Sequence, residues 1–235
     1  MKDERNDKLL ISRILLDKRG MYGKFFSTRS VALFGNEEDF IVVTSSGDGG
    51  APNGISGAPL LLESEWLLFE KDGITCEFTK LRYQDFEIWD PKIRKIMNFK
   101  DLTGIIGMEA VLDGLASKVD GRILNRIETI VEGESWENLV GFGPGLTPLG
   151  DDVISGMLAL SVLEEEETEK LLKISNSKTN SISRKQMNYA AIQLVPKAVK
   201  EFLEEGKIDN LMKMGNTSGL GWMLGIVKGL ECLEG

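Results

Sequence analysis

No histidine occurs anywhere in the 235 residues. That absence removes Ser-His and Cys-His nucleophilic pairs and every H-E-x-x-H zinc site. Cysteine is scarce too: Cys76 and Cys232 lie far apart and form no C-x-x-C pattern. They read as reduced structural thiols of a cytoplasmic protein, too few for a structural zinc site. Acid–base work is left to Asp, Glu, Lys, Tyr or water. No apolar run reaches membrane-spanning length, and Met1 to Arg5 are too charged to open a secretory signal. Basic residues are also in deficit, 28 against 37 acidic ones, for a net charge of −9. Duplex nucleic acid and anionic membranes are therefore disfavoured as partners, since both need a basic face.

What is present is a globular composition, 42% hydrophobic and 28% charged, long enough for one large domain or two small ones. The predicted class is α+β. A β-rich part over 1–82 opens with a short helix or arm at "LLISRILLDK". Short apolar runs then predict five strands in "KFFSTRSVALF", "DFIVVTSS", "PLLLES", "EWLLFEK" and "ITCEF". "SSGDGGAPNGISG" (45–57) is too glycine-rich for an element, and Asp72-Gly73 marks a tight hairpin. A helical part follows over 83–235. "DPKIRKIMNF" predicts a helix with Asp90 as cap and Pro91 in the first turn. Further helices are expected over 108–118, 120–131 and 147–163, then in "SRKQMNYAAIQLVPKAVKEFLEEG", bent at Pro196, and "NTSGLGWMLGIVKGLECL". The acidic run at 164–170 reads as a solvated helix end.

The densest stretch is "GFGPGLTPLGDD", residues 141–152. Thr147 before Pro148 predicts a hydroxyl-capped helix start, and Gly141, Gly143 and Gly145 permit positive φ and close approach of a ligand. Bare N–H groups at the positive end of a helix make an anion site. A Walker loop and a dinucleotide fingerprint are both excluded, because neither G-K-S/T nor G-x-G-x-x-G occurs in this stretch. A plain packing turn remains the competing reading. Asp151 and Asp152 open a helix that is apolar on several sides, and buried carboxylates must be paired, hydrogen-bonded or bound to a cation. Both are candidate catalytic residues. They are also the candidate ligands of a Mg²⁺, should one be used. Gly143, Gly145, Leu146, Thr147 and Gly150 are candidate substrate contacts, joined by Thr217, Ser218 and Asn53. Gly221, Gly225 and Gly229 form a small-residue stripe at i, i+4, i+8, expected to pack against the 147–163 helix.

"FFSTRS" (25–30) is similar to the Ser-Thr-Arg-Thr phosphate motif of aspartate and ornithine carbamoyltransferases. That motif opens a helix and works with a histidine, whereas here "VALF" continues a β pattern. Arg29 is therefore read as a strand residue.

The central stretch resembles the signature GxGPGLTPxGDDxxxGxL of the AllH-like family. The matching positions are Gly141, Gly143, Pro144, Gly145, Leu146, Thr147, Pro148, Gly150, Asp151, Asp152, Gly156 and Leu158. Softer similarity runs through "PNGI" (52–55), "TNSISRKQM" (179–187) and "NTSGLGWMLGIVKGL" (216–230). The resemblance implies a subunit of the oxamate carbamoyltransferase system of anaerobic allantoin degradation. Such a complex moves a carbamoyl group between oxamate and phosphate, with oxalurate and carbamoyl phosphate on either side. It also implies larger partner subunits and leaves room for a homo-oligomer. Two alternatives stay open: a non-catalytic assembly or binding subunit, and a stand-alone Mg²⁺-dependent hydrolase using Asp151 and Asp152.

Overall fold

The computed structural model describes residues 9–46, 50–105, 107–133 and 135–234. The chain divides into two compact units, Met1–Pro91 and Lys92–Gly235. The charged start at Met1 to Arg5 and positions 47–49 of the glycine-rich loop lie outside the described residues.

The first unit is one sheet. Its strands are β1 (Leu10–Ser12), β2 (Gly20–Ser27), β3 (Val31–Gly35), β4 (Phe40–Thr44), β5 (Gly54–Ser56), β6 (Trp66–Phe69), β7 (Gly73–Thr75), β8 (Lys80–Arg82) and β9 (Glu87–Trp89), ordered β8-β7-β6-β2-β3-β4-β5-β1-β9. β4 with β5 and β1 with β9 run parallel; the other neighbours are antiparallel. The β-branched run of β4 and the alternating pattern of β6 place Ile41, Val43, Leu67 and Phe69 in one apolar core with Phe34, Ile55 and Ile74. The β6–β7 hairpin forms where expected, with Phe69 opposite Ile74, but its turn is one residue earlier, Lys71-Asp72, closed by the Glu70 amide on the Gly73 carbonyl, and Gly73 opens β7.

Several expectations in this unit are corrected. "LLISRILLDK" is strand β1 followed by a single 3₁₀ turn, Arg13–Leu15, because β1 is held between β5 and β9. "KFFSTRSVALF" folds back on itself as β2 and β3, so Arg29 sits in an exposed hairpin turn rather than in a strand. "PLLLES" is a short helix, α1 (Pro59–Glu63), with Pro59 in its first turn. The glycine-rich loop contains β5, a fully buried strand paired on both sides. The unit also continues past residue 82, because β9 pairs with β1 near the start of the chain.

The second unit holds α2 (Phe99–Ile105), α3 (Met108–Ala116), α4 (Gly121–Gly133), α5 (Leu149–Ala159), α6 (Glu165–Lys178), α7 (Ser181–Ala191), α8 (Lys197–Glu205), α9 (Asp209–Met212) and α10 (Ser218–Glu234). "DPKIRKIMNF" is not a helix. It runs extended: Lys92 bridges Leu194, and the Ile93 and Met97 amides donate to the Gln193 and Leu203 carbonyls. Tertiary backbone bonds outweigh a local cap here. The expected bent helix is two helices, α7 and α8, separated where Gln193 takes φ 60° and Pro196 caps α8. The 147–163 helix is shorter than expected, and Ser161 turns the chain at φ 54°. The acidic run begins α6 rather than ending the previous helix. Glu164 is its cap, and Glu165 to Glu167 lie exposed in its first turn, suited to the helix dipole.

Every residue of α5 is buried. The helix lies against α10 through the glycine stripe. A Cβ on Gly225 would fall 1.9 Å from the Val153 carbonyl oxygen, and one on Gly221 2.8 Å from the Asp152 Cβ. Gly156 answers from α5, where a Cβ would meet the Trp222 carbonyl at 2.4 Å. Close backbone contact on both sides explains why these helices need glycine despite its cost in a helix.

Candidate functional site

The glycine loop, 141–148, is an irregular turn that leads into α5. Gly141, Gly143 and Gly145 all take positive φ (75°, 98° and 120°), as the sequence predicts. At Gly141 any side chain would also collide with the Lys178 carbonyl, 2.1 Å from a Cβ. The cap differs from expectation. Pro148, not Thr147, is the residue before the first turn, and it makes no side-chain cap bond. The Thr147 hydroxyl is freed for another use: it donates to Asp152 Oδ2 at 3.2 Å and lies 3.2 Å from Ser218 Oγ.

Both aspartates face inward and are fully buried. Asp151 Oδ1 accepts from the Gly141 amide at 2.7 Å, and its Oδ2 accepts from the Thr179 hydroxyl. Asp152 Oδ1 accepts from Gln186 Nε2 at 2.8 Å; the same amide donates to Ser155 Oγ at 3.1 Å. The pair therefore ties the loop at both ends, through Gly141 at its start and Thr147 at its close. α7 completes the grip, since Asn180 caps that helix with its side-chain oxygen and donates from Nδ2 to the Leu146 carbonyl at 2.9 Å.

Burial raises the pKa of both carboxyls. For Asp152 it outweighs the opposing hydrogen bonds from Gln186, Ser218 and Thr147, and with a small push from Asp151 the value reaches about 8. Asp151 is also raised by burial, while Thr179, Gly141 and Ser183 favour its charged form. Ser183 acts by proximity, because its buried Oγ makes no well-formed hydrogen bond.

The donor set does not fit a Mg²⁺ site. All four carboxylate oxygens already accept from N–H or O–H groups, and a hard cation needs several open oxygen ligands in octahedral array. Among the described residues, no group of three or more His, Cys, Asp or Glu is gathered to hold a metal.

The other sequence-predicted contacts divide. Leu146 is 46% exposed beside exposed Pro144 and Gly145. Gly150 is a packing residue: its amide donates to the Phe142 carbonyl at 2.8 Å, and a Cβ would meet the Leu139 oxygen at 2.1 Å. Ser218 joins the cluster through Thr147, while Thr217 is buried and its carbonyl accepts from Gly221. Asn53 belongs to the first unit, where its buried amide donates to the Phe40 carbonyl at 2.7 Å. Thr179, Asn180, Ser183 and Gln186 lie in the 179–187 segment of softer family similarity, but the sequence does not single them out as site residues. Their signal is the polar i, i+3 spacing of Ser183 and Gln186 on α7, beside buried Met187, with Thr179 and Asn180 in the extended turn just before that helix.

The loop, the buried pair, α7 and all but the last turn of α10 fall inside residues 139–230, which match the family model described as oxamate carbamoyltransferase subunit AllH. This segment is AllH-like. No solved structure matches the chain. No described helix of the AllH-like segment, or of the rest of the chain, is long and apolar enough to cross a membrane.

Proposed function

We propose that the chain is a subunit of a carbamoyltransferase complex acting on small anionic amides, with the exposed edge of the glycine loop as its substrate-facing surface. In that reaction an oxygen of hydrogen phosphate attacks the carbamoyl carbon of oxalurate, the C–N bond breaks, and the proton lost by the phosphate passes to the departing nitrogen, giving carbamoyl phosphate and oxamate. The observation that carries the reading is the coincidence of the AllH match with the loop and its buried support. Gly143, Gly145, Leu146 and Thr147 form the accessible rim, and loop amides are the donors for an anionic end. Gly150 and Asp151 amides are already used by the Phe142 and Pro148 carbonyls. Asp151 and Asp152 act as positioning residues that hold this rim in shape.

A second reading, an assembly subunit without chemistry of its own, is favoured by one observation. The most accessible large apolar side chain of the loop is Leu146, suited to a pocket on a partner chain. The stand-alone hydrolase loses support because its two carboxylates are sealed by donors.

Calorimetry with oxamate, oxalurate and carbamoyl phosphate, in the presence of co-encoded subunits, tests the proposal. Gly145→Ala forces a side chain into φ 120° and to 2.6 Å from the Thr147 oxygen, without touching the buried pair. It should weaken binding about tenfold or more. Equal binding by both proteins removes the loop from the substrate site. Loss of complex formation by Leu146→Glu, with ligand binding unchanged, selects the assembly reading.

A further inference from the structure

Asp151 and Asp152 are adjacent in sequence and both fully inside the helical unit. Their hydrogen-bond donors are all neutral: the Gly141 amide, the Thr179 and Thr147 hydroxyls and the Gln186 amide. No charged group of the surrounding elements donates to either aspartate, and most are engaged elsewhere. On α7, Lys185 holds its ammonium 5.9 Å from the Tyr189 ring centroid, and Arg184 is not among the groups that act on either aspartate. At the end of α6, Lys178 donates to the Glu137 carbonyl at 3.3 Å, and the Glu137 carboxylate pairs with Lys170. Lys118, after α3, donates to the Asn216 carbonyl at 2.7 Å. α10 has no charged residue before Lys228, which pairs with Glu231 at 2.9 Å.

Two neighbouring buried carboxylates served only by neutral donors are too costly to keep fully ionised. We propose that folding traps one proton on the Asp151–Asp152 pair, and that this proton fastens the glycine loop, giving a histidine-free protein a pH-sensitive joint. The geometry suits a proton on Asp152 Oδ2. Gln186 donates to Oδ1, which then serves as the carbonyl oxygen. Protonation reverses the Thr147 contact: across the same 3.2 Å the Oδ2–H then donates to Thr147 Oγ1, and the Thr147 hydroxyl turns to Ser218 Oγ, also at 3.2 Å. Asp151, with the Gly141 amide and the Thr179 hydroxyl on separate oxygens, keeps the charge. The pair titrates as a unit. This holds whatever the loop binds.

The sign is fixed by burial. The folded pair keeps a proton that the unfolded chain releases, so stability is full below the ordinary Asp range near 3.8 and falls as pH rises toward about 8. Histidine would normally dominate between about pH 5.5 and 7.5, and this chain has none.

Urea unfolding of the full chain tests the proposal. Helical circular dichroism at about pH 5.5, 6.5 and 7.5 follows the helical unit across that window. The unfolding constant should rise by up to about tenfold per pH unit, with about one proton released on unfolding. Asp152→Asn, which keeps a neutral group in place, should flatten the slope. A flat wild-type profile, or an equal slope in the variant, overturns the proposal. So does a profile that magnesium shifts, because a cation would then balance the pair. Should the variant fail to fold, infrared spectra of wild type decide. A carboxylic-acid C=O band near neutral pH in the folded chain, lost in urea, supports the proton; no such band overturns it.

Discussion

The sheet unit and the helical unit solve burial in opposite ways. The sheet unit gathers an apolar core of Phe34, Ile41, Val43, Leu67 and Phe69, and its buried polar side chains, such as Asn53 and Ser56, are uncharged. The helical unit has an apolar core of its own but threads two carboxyls through it, at the start of the helix most completely enclosed. One unit is stabilised by transfer of apolar surface. The other also carries an electrostatic cost, which its hydroxyl, amide and backbone donors offset. Glycine divides in the same way. In the sheet unit Gly35 and Gly73 let paired strands approach, a Cβ at either falling 2.2 Å from a carbonyl across the hairpin. In the helical unit glycine joins helix to helix.

The largest way to break this comparison is Gly225→Leu. Its Cβ alone would sit 1.9 Å from the Val153 oxygen and 3.1 Å from the Gly156 Cα, so α5 and α10 must separate. We expect a loss of about 4 kcal/mol or more in the helical unit, read by denaturant melts. An unchanged melting temperature would falsify the packing. Phe34→Ala comes next. It leaves a cavity among Ile41, Val43 and Phe69 and should cost about 3–4 kcal/mol. Its cost should be the same at about pH 5.5 and 7.5, since no carboxyl pair lines that core. A pH-dependent cost would erase the contrast between the units. The smallest is Met21→Ser on β2, where the side chain is 69% exposed. Its effect should stay within about 0.5 kcal/mol in thermal melts.

Much of the fold was legible because local pattern and tertiary demand agreed. The change from short apolar runs to helical spacing marks the α+β division, and the β6–β7 hairpin, to within one residue, α3, α4 and α10 fall where their sequence signals lie. Failures occurred where a distant partner supplied the backbone bonds. β1 needs β5 and β9, β5 needs β4, and residues 92–97 follow 193–203. None of those partners is visible in a local window. The site was legible in the same uneven way. Loop 141–148 announced itself through glycines and paired aspartates, but Thr179 and Gln186, distant in sequence, carry ordinary polar signals.

By itself the sequence determined that no histidine chemistry operates, that a glycine loop with positive φ precedes a buried acidic helix start, and that a glycine stripe lines the last helix. These follow from residue type, spacing and steric freedom, which are local. Only the tertiary structure decided what the two aspartates meet. Their donors come from the loop, the α6–α7 turn and α7, and whether a buried carboxyl holds a charge or a proton depends on the solvent and cations that the surrounding elements exclude.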